Sequence, residues 1–282
     1  MLLFKFKIMS PRRLILIIDS IQYRLDFKNW TNYQFRDERG LGRVSIIACG
    51  LSSVLTLNIM MICLFLLDRM NWMKSISILE LDSSREFMLL QGALYAITLC
   101  VFHLTEFFVT AICNPSVVTS ESFVVNHSRS YTAALILSWT EFCIRFTLFP
   151  SMNSRFGAIL GLLMVITSQI IRSLSMITCG ESFNHFIQHH KKDNHVLVTT
   201  GIYKYLRHPS YFGFYYWSIG TQLLLGNMIN TITFAIASWF FFNRRIPFEE
   251  STLIRMFPEE YPSYMARTPI GIPFIARRNK IE

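Results

Sequence analysis

Six runs with few or no charged residues, at 44–67, 87–112, 131–149, 157–178, 211–225 and 228–242, dominate this chain and limit what it can become. The first four are each long enough to cross about 30 Å of hydrocarbon as a helix. The last two are shorter and are separated by Gly226-Asn227, a turn signal, so they read as one tight helical hairpin. A backbone in lipid must satisfy its polar groups internally, which a helix does within itself. The expectation is an all-α, polytopic integral membrane protein with six firm helices. Residues 2–25 hold apolar runs broken by Lys5, Lys7, Arg12, Arg13 and Asp19, which fits an interfacial segment or a thin extra pair. No small-residue cleavage site follows an apolar core there, so a cleaved signal is not expected.

Composition agrees. Only 16% of the 282 residues are charged and 52% are hydrophobic, where a soluble domain carries about a quarter charged. Of the 27 Lys and Arg, residues 1–43 hold nine and residues 243–282 hold seven, which places both termini and the 179–210 segment on the cytoplasmic side. The 113–130 loop falls on that side too, with Arg129 alone. The net charge of +9 is then a membrane-surface feature, and no nucleic-acid partner is expected. The six cysteines lie in or beside apolar runs without C-x-x-C spacing, and the histidines at 185, 189, 190 and 195 lack zinc-type spacing, so no metal site is expected.

There is no internal repeat, and one membrane domain over 1–282 is the simplest account. Residues 1–156 read as N-terminal helices, and residues 157–282 carry most of the chemistry. A polar cassette at 195–212 sits between apolar regions, with Gly201 permitting a tight turn after the β-prone Val196-Leu197-Val198. Tyr203, Tyr205 and Tyr211 offer hydroxyls or ring faces. His208-Pro209-Ser210-Tyr211 ends the cassette where the next helix begins, and Pro209 suits a first turn whose free N–H groups favour an anion. A helix continuing beyond Thr178 would put Asn184 and Gln188 on one face. Gln188 could then read an adenine edge, and a solvated helix end fits equally.

Beyond the hairpin, Arg245 and Glu249 are four apart and would share a helix face despite Pro247. An arginine fork there can hold a carboxylate in two bonds, and a glutamate can hold an ammonium. Arg172, inside the fourth run, asks for a partner or snorkels to the surface. Glu106, Glu141 and His103 read as interhelical hydrogen-bonding groups.

From about residue 98 the chain resembles the isoprenylcysteine carboxyl methyltransferases. The stretches that carry the resemblance include Phe102-His103-Leu104-Thr105-Glu106, Phe183-Asn184-His185, His195-Val196-Leu197-Val198-Thr199, Gly201-Ile202-Tyr203, Arg207-His208-Pro209-Ser210-Tyr211 and Tyr216-Trp217-Ser218. The resemblance implies an endoplasmic-reticulum enzyme of eight helices whose cytoplasm-facing C-terminal region is catalytic. It further implies S-adenosylmethionine as methyl donor and S-adenosylhomocysteine as product. The substrates implied are prenylated CaaX proteins such as small GTPases, farnesylated or geranylgeranylated, methylated on the terminal carboxylate. By position, Gln188, His195, Val196, Leu197, Val198, Tyr203, His208, Pro209, Ser210, Tyr211 and Glu249 become cofactor contacts, and Arg245 receives the substrate carboxylate. Here Ile246-Pro247-Phe248 interrupts the family's usual glutamate run, leaving Glu249 and Glu250.

The Arg-His-Pro-x-Tyr element is shared with membrane sterol reductases and other membrane methyltransferases. An NADPH-dependent sterol reductase or a phospholipid N-methyltransferase is therefore the competing enzyme reading. A transporter or scaffold would show internal repeats and a polar path through several spans, and neither is evident.

Overall fold

The computed structural model describes residues 35, 37–69, 82–125, 128–184 and 196–275. The expectations for residues 2–25, Gln188 and His195 lie outside these residues. Seven α-helices are described: α1 (Leu41–Arg69), α2 (Ser83–Cys113), α3 (Arg129–Leu148), α4 (Arg155–Cys179), α5 (Pro209–Leu225), α6 (Met228–Met256) and α7 (Glu260–Arg267). No strand occurs among the described residues. Each of the six apolar runs lies almost wholly within one of the first six helices. By length and composition α1, α2 and α4 can cross a membrane. The chain is an all-α, multi-pass membrane protein.

Local chemistry starts the helices where the sequence allows. Asp82 accepts from Ser84 N and Arg85 N at 3.0 and 2.9 Å, Ser128 from Tyr131 N, and Ser154 from Gly157 N. Helix α5 ends on Gly226, whose φ of +74° permits the left-handed turn expected there. The start of α6 is capped from another helix. Both Glu141 oxygens, on α3, accept from Ile229 N and Asn230 N at 2.9 and 2.8 Å. Asn227 and Asn230 reach back to the carbonyls of Ser138 and Leu137. Helix α3 is thus pinned to α6 at the hairpin-turn end, and the interhelical reading of Glu141 holds.

Helices α4 and α5 pack backbone to backbone. A Cβ on Gly161 would lie 2.3 Å from Leu224 N, and one on Gly213 would lie 2.8 Å from Arg172 Cβ. In lipid, where burial of apolar surface drives little association, such close approach is what holds helices together. It also brings the end of α4 against the first turn of α5, which fixes the neighbourhood of Ser210.

Helix α6 runs on to Met256, about four turns beyond the apolar run that ends at Phe242. Pro247 removes one backbone donor inside it. Packing compensates: Phe242 and Ile246, 2% and 0% exposed, lie in a cluster with Tyr215, Ile270 and Ile272. The returning tail is tied by Trp239 Nε1 donating to Pro273 O at 2.8 Å. Because the helix continues, Arg245, Glu249 and Glu250 are held on a rigid element.

Candidate active site

A continuous cavity of about 620 Å³ among the described residues runs from the cassette into the bundle between α3, α5 and α6. Ten of the twelve expected site residues line it: Val196, Leu197, Val198, Tyr203, His208, Pro209, Ser210, Tyr211, Arg245 and Glu249. The other two, Gln188 and His195, lie outside the described residues. Ala133 and Leu137 on α3 and Thr233, Ala237 and Phe241 on α6 line the cavity and are also exposed, so it opens sideways between these helices.

At the cassette end, Arg245 and Glu249 converge on one phenol. Arg245 Nε donates to the Tyr211 hydroxyl at 2.8 Å, and that hydroxyl donates to Glu249 Oε2. The Arg245 guanidinium carbon also lies 5.4 Å from the Tyr211 ring centroid and 5.8 Å from that of Phe241. His208 stacks on the Tyr211 ring itself, the centroids 5.5 Å apart and the planes tilted by 4°. The i,i+4 spacing therefore did place the two charges on one face, and Pro247 between them did not separate them.

A second, buried network stands behind the first. Arg207 Nε donates to Glu250 Oε1 at 2.7 Å, His208 Nε2 to the same oxygen at 3.2 Å, and the Tyr261 hydroxyl to it at 3.4 Å. Arg207 Nη1 donates to the carbonyls of Met265 and Thr268, and Arg207 N to Pro269 O, which locks the tail beneath the cassette. The Tyr264 hydroxyl, pushed up to about 12 chiefly by burial, donates to Tyr203 O at 2.6 Å. Burial would raise the Glu250 carboxyl, but hydrogen bonds and charge from His208 and Arg207 outweigh it and hold it below its ordinary value. A depressed carboxylate contributes stability above the unfolded glutamate value of about 4.3, and loses it as pH falls through the folded value. Glu250→Gln should thus destabilise the protein by about 1.5–3 kcal/mol at pH 7. Thermal unfolding in detergent should show that gap narrowing below about pH 4.3; a gap constant with pH would contradict the assignment.

Arg172 does not snorkel. Its Nε and Nη2 donate to Glu106 Oε1 and Oε2 at 2.6 and 2.8 Å, and its Nη1 donates to Ser210 Oγ and O at 3.0 and 3.1 Å. The phenyl rings of Phe102 and Phe214 flank it, each centroid 5.4 Å away. Glu106 belongs to α2, so the N-terminal half supplies part of the frame around the cavity. His103 Nδ1 donates to Phe123 O at 2.8 Å, leaving Nε2 to accept from Tyr131, another wall residue, at 3.0 Å.

The expected helical continuation past Thr178 does not occur. Helix α4 stops at Cys179 because Gly180, at φ +55° and ψ −130°, turns the chain into a short 3-10 segment, Gly180–Ser182. Asn184 lies beyond that segment, outside any helix, yet still lines the cavity. Asn114 at the end of α2 secures the segment, donating to Glu181 O at 2.9 Å and Phe183 O at 3.1 Å.

The residues fit a zwitterionic cofactor. Glu249 supplies an anionic acceptor, and the first turn of α5 supplies free N–H groups. Arg207 Nη2 is buried beside the cavity with no hydrogen-bond partner among the described residues, a donor available to a bound acceptor.

The model of the isoprenylcysteine carboxyl methyltransferase family matches residues 160–255, a span that contains every expected site residue. Over 182 residues, 64% of this chain, the chain is 44% identical to protein-S-isoprenylcysteine O-methyltransferase of Xenopus laevis. That match spans 63% of the relative's length. Against protein-S-isoprenylcysteine O-methyltransferase B of Arabidopsis thaliana the identity is 40% over 176 residues, 62% of this chain and 88% of the relative. The chain belongs to the isoprenylcysteine carboxyl methyltransferase family. The solved structure of the eukaryotic intramembrane Ras methyltransferase of this family superposes with a TM-score of 0.73 at 33% identity, covering 96% of this chain and 89% of that one. Within the isoprenylcysteine carboxyl methyltransferase fold, Arg207 and Glu250 could have been found from the Arg-His-Pro run and the glutamate pair. No local signal marks Asn114, Tyr131 or Tyr261.

Proposed function

We propose that this protein methylates the α-carboxylate of a C-terminal S-prenylated cysteine, farnesyl or geranylgeranyl, on CaaX-processed proteins such as small GTPases. The observation that carries the reading is the meeting of Arg245 and Glu249 on Tyr211, in a cavity continuous with the sideways opening between α3 and α6. A carboxylate is already ionised at pH 7, so no general base is required. Bound S-adenosylmethionine supplies a sulfonium methyl group, which is released as the carboxylate oxygen bonds to it, leaving S-adenosylhomocysteine. Arg245 would orient the carboxylate without protonating it, and the aromatic walls would exclude water that weakens the nucleophile. Glu249 would hold the cofactor ammonium, with Tyr211 fixing its distance from Arg245. Gln188, His195, the Val196–Val198 backbone, Tyr203 and the His208–Ser210 turn would hold the rest of the cofactor.

A charged cofactor enters from water and a prenyl chain from lipid, and a site at the boundary serves both. The cassette and both termini would face the cytoplasm, on the endoplasmic-reticulum membrane, with the N-terminal residues completing eight spans. Losing a negative charge would strengthen product adhesion to an anionic leaflet. The test uses purified protein, radiolabelled S-adenosylmethionine and N-acetyl-S-farnesylcysteine. Base-labile methyl ester is expected; its absence would discard the proposal and leave the reductase reading to be tried with NADPH.

A further inference from the structure

The wall of the cavity stops at one level on four helices. Towards the Gly226 turn, the last lining residues on these helices are Tyr95 on α2, Leu137 on α3, Thr221 on α5 and Thr233 on α6. One turn further on, the helices are packed together. Met88, Leu224 and Leu225 are 0–1% exposed and cluster with Phe142 and with the ring of Tyr95 itself. Gln91 Nε2 donates to Leu224 O across that layer at 2.8 Å. Tyr95 is 1% exposed, is edge-on to Trp139 at 5.5 Å, and has its hydroxyl beside Ser138 and Gln222. Its ring is therefore held from below and from the side, and only one face meets the cavity.

On α5 the lining runs from Ser210, beside Arg172, to Thr221, about 17 Å of helix rise. A chain whose carboxylate end lies near Arg245 must therefore bring its far end to the Tyr95 level. There it meets a closed floor, while Leu137 and Thr233 leave the lateral slot open. Resting on the methyltransferase reading above, we infer that Tyr95 is the residue that sets prenyl-length preference, its ring forming the floor against which the distal isoprene unit ends. A fifteen-carbon chain fills the space above the ring. A twenty-carbon chain must turn at it, towards the slot, and leaves part of its last unit outside the protein.

The test compares kcat/KM for N-acetyl-S-geranylgeranylcysteine with that for N-acetyl-S-farnesylcysteine. Tyr95→Ala deepens the cavity and should raise this ratio on the order of tenfold over wild type, since one or two methylenes in an apolar pocket carry that much discrimination. Tyr95→Phe keeps the ring and should leave the ratio unchanged. Ala134→Phe, at a half-exposed wall position on α3 one turn nearer the cassette, shortens the space from the other side and should lower the ratio. Thermal stabilisation by the two product methyl esters should move in the same sense, which separates fit from turnover. If Tyr95→Ala does not fold, Ala134→Phe decides. A ratio unmoved by these changes, with wild-type turnover intact, overturns this inference alone. Wild-type protein that esterifies neither analogue overturns the methyltransferase reading and this inference with it.

Discussion

Arg245→Ala should lower kcat/KM for the prenylcysteine by about 10²–10³-fold or more, the scale of removing one positioned donor to a reacting anion. S-adenosylmethionine should still bind, as titration calorimetry would show. The geometry explains the separation. Arg245 donates to the Tyr211 hydroxyl through Nε, whereas Glu249 accepts a hydrogen bond from that same hydroxyl on its other side. Removing the guanidinium leaves the Tyr211–Glu249 hydrogen bond in place. Arg245→Lys should recover little, since an ammonium offers a point charge where the guanidinium offers a planar fork. If cofactor binding disappeared together with turnover, Arg245 would belong to the cofactor subsite and the assignment of roles would be wrong.

Glu106→Leu should destabilise the protein by about 3–5 kcal/mol, because Arg172 would remain buried and unpaired. Two of the three Arg172 guanidinium nitrogens donate to Glu106, and both side chains are at most 8% exposed. The pair Glu106→Leu with Arg172→Met should regain most of that stability, since apolar replacement of both partners is often neutral or better. It should not regain activity. Ser210 loses the two Arg172 bonds that hold the first turn of α5. Thermal unfolding in detergent, followed beside methyl-transfer rate, separates the two effects. A Glu106→Leu protein as stable as wild type would show that the ion pair contributes little.

Much of the arrangement was legible in the chain. The six apolar runs, the Gly226 turn, the Gly201 turn and the shared face of Arg245 and Glu249 follow from local rules of length, backbone freedom and helical period. The end of α4 does not follow from apolar periodicity near Thr178, because it is Gly180, at positive φ, that ends the helix. A single charge in a span such as Arg172 does not name its partner, and Glu106 stands 66 residues away. Glu249 and Glu250 are adjacent helix positions that face different directions and here serve different networks, which the pair of glutamates alone does not show.

Hydropathy, turn chemistry and the four-residue repeat are properties of neighbours along the chain, so the primary sequence was enough to declare a bundle in lipid with a polar cassette at one end. The closure of Arg207 on Glu250, of Arg172 on Glu106, and of Tyr95 over the far end of the cavity joins groups on separate helices. Those meetings depend on how closely glycine-faced helices approach and on which turns come level, quantities that exist only once the helices are packed.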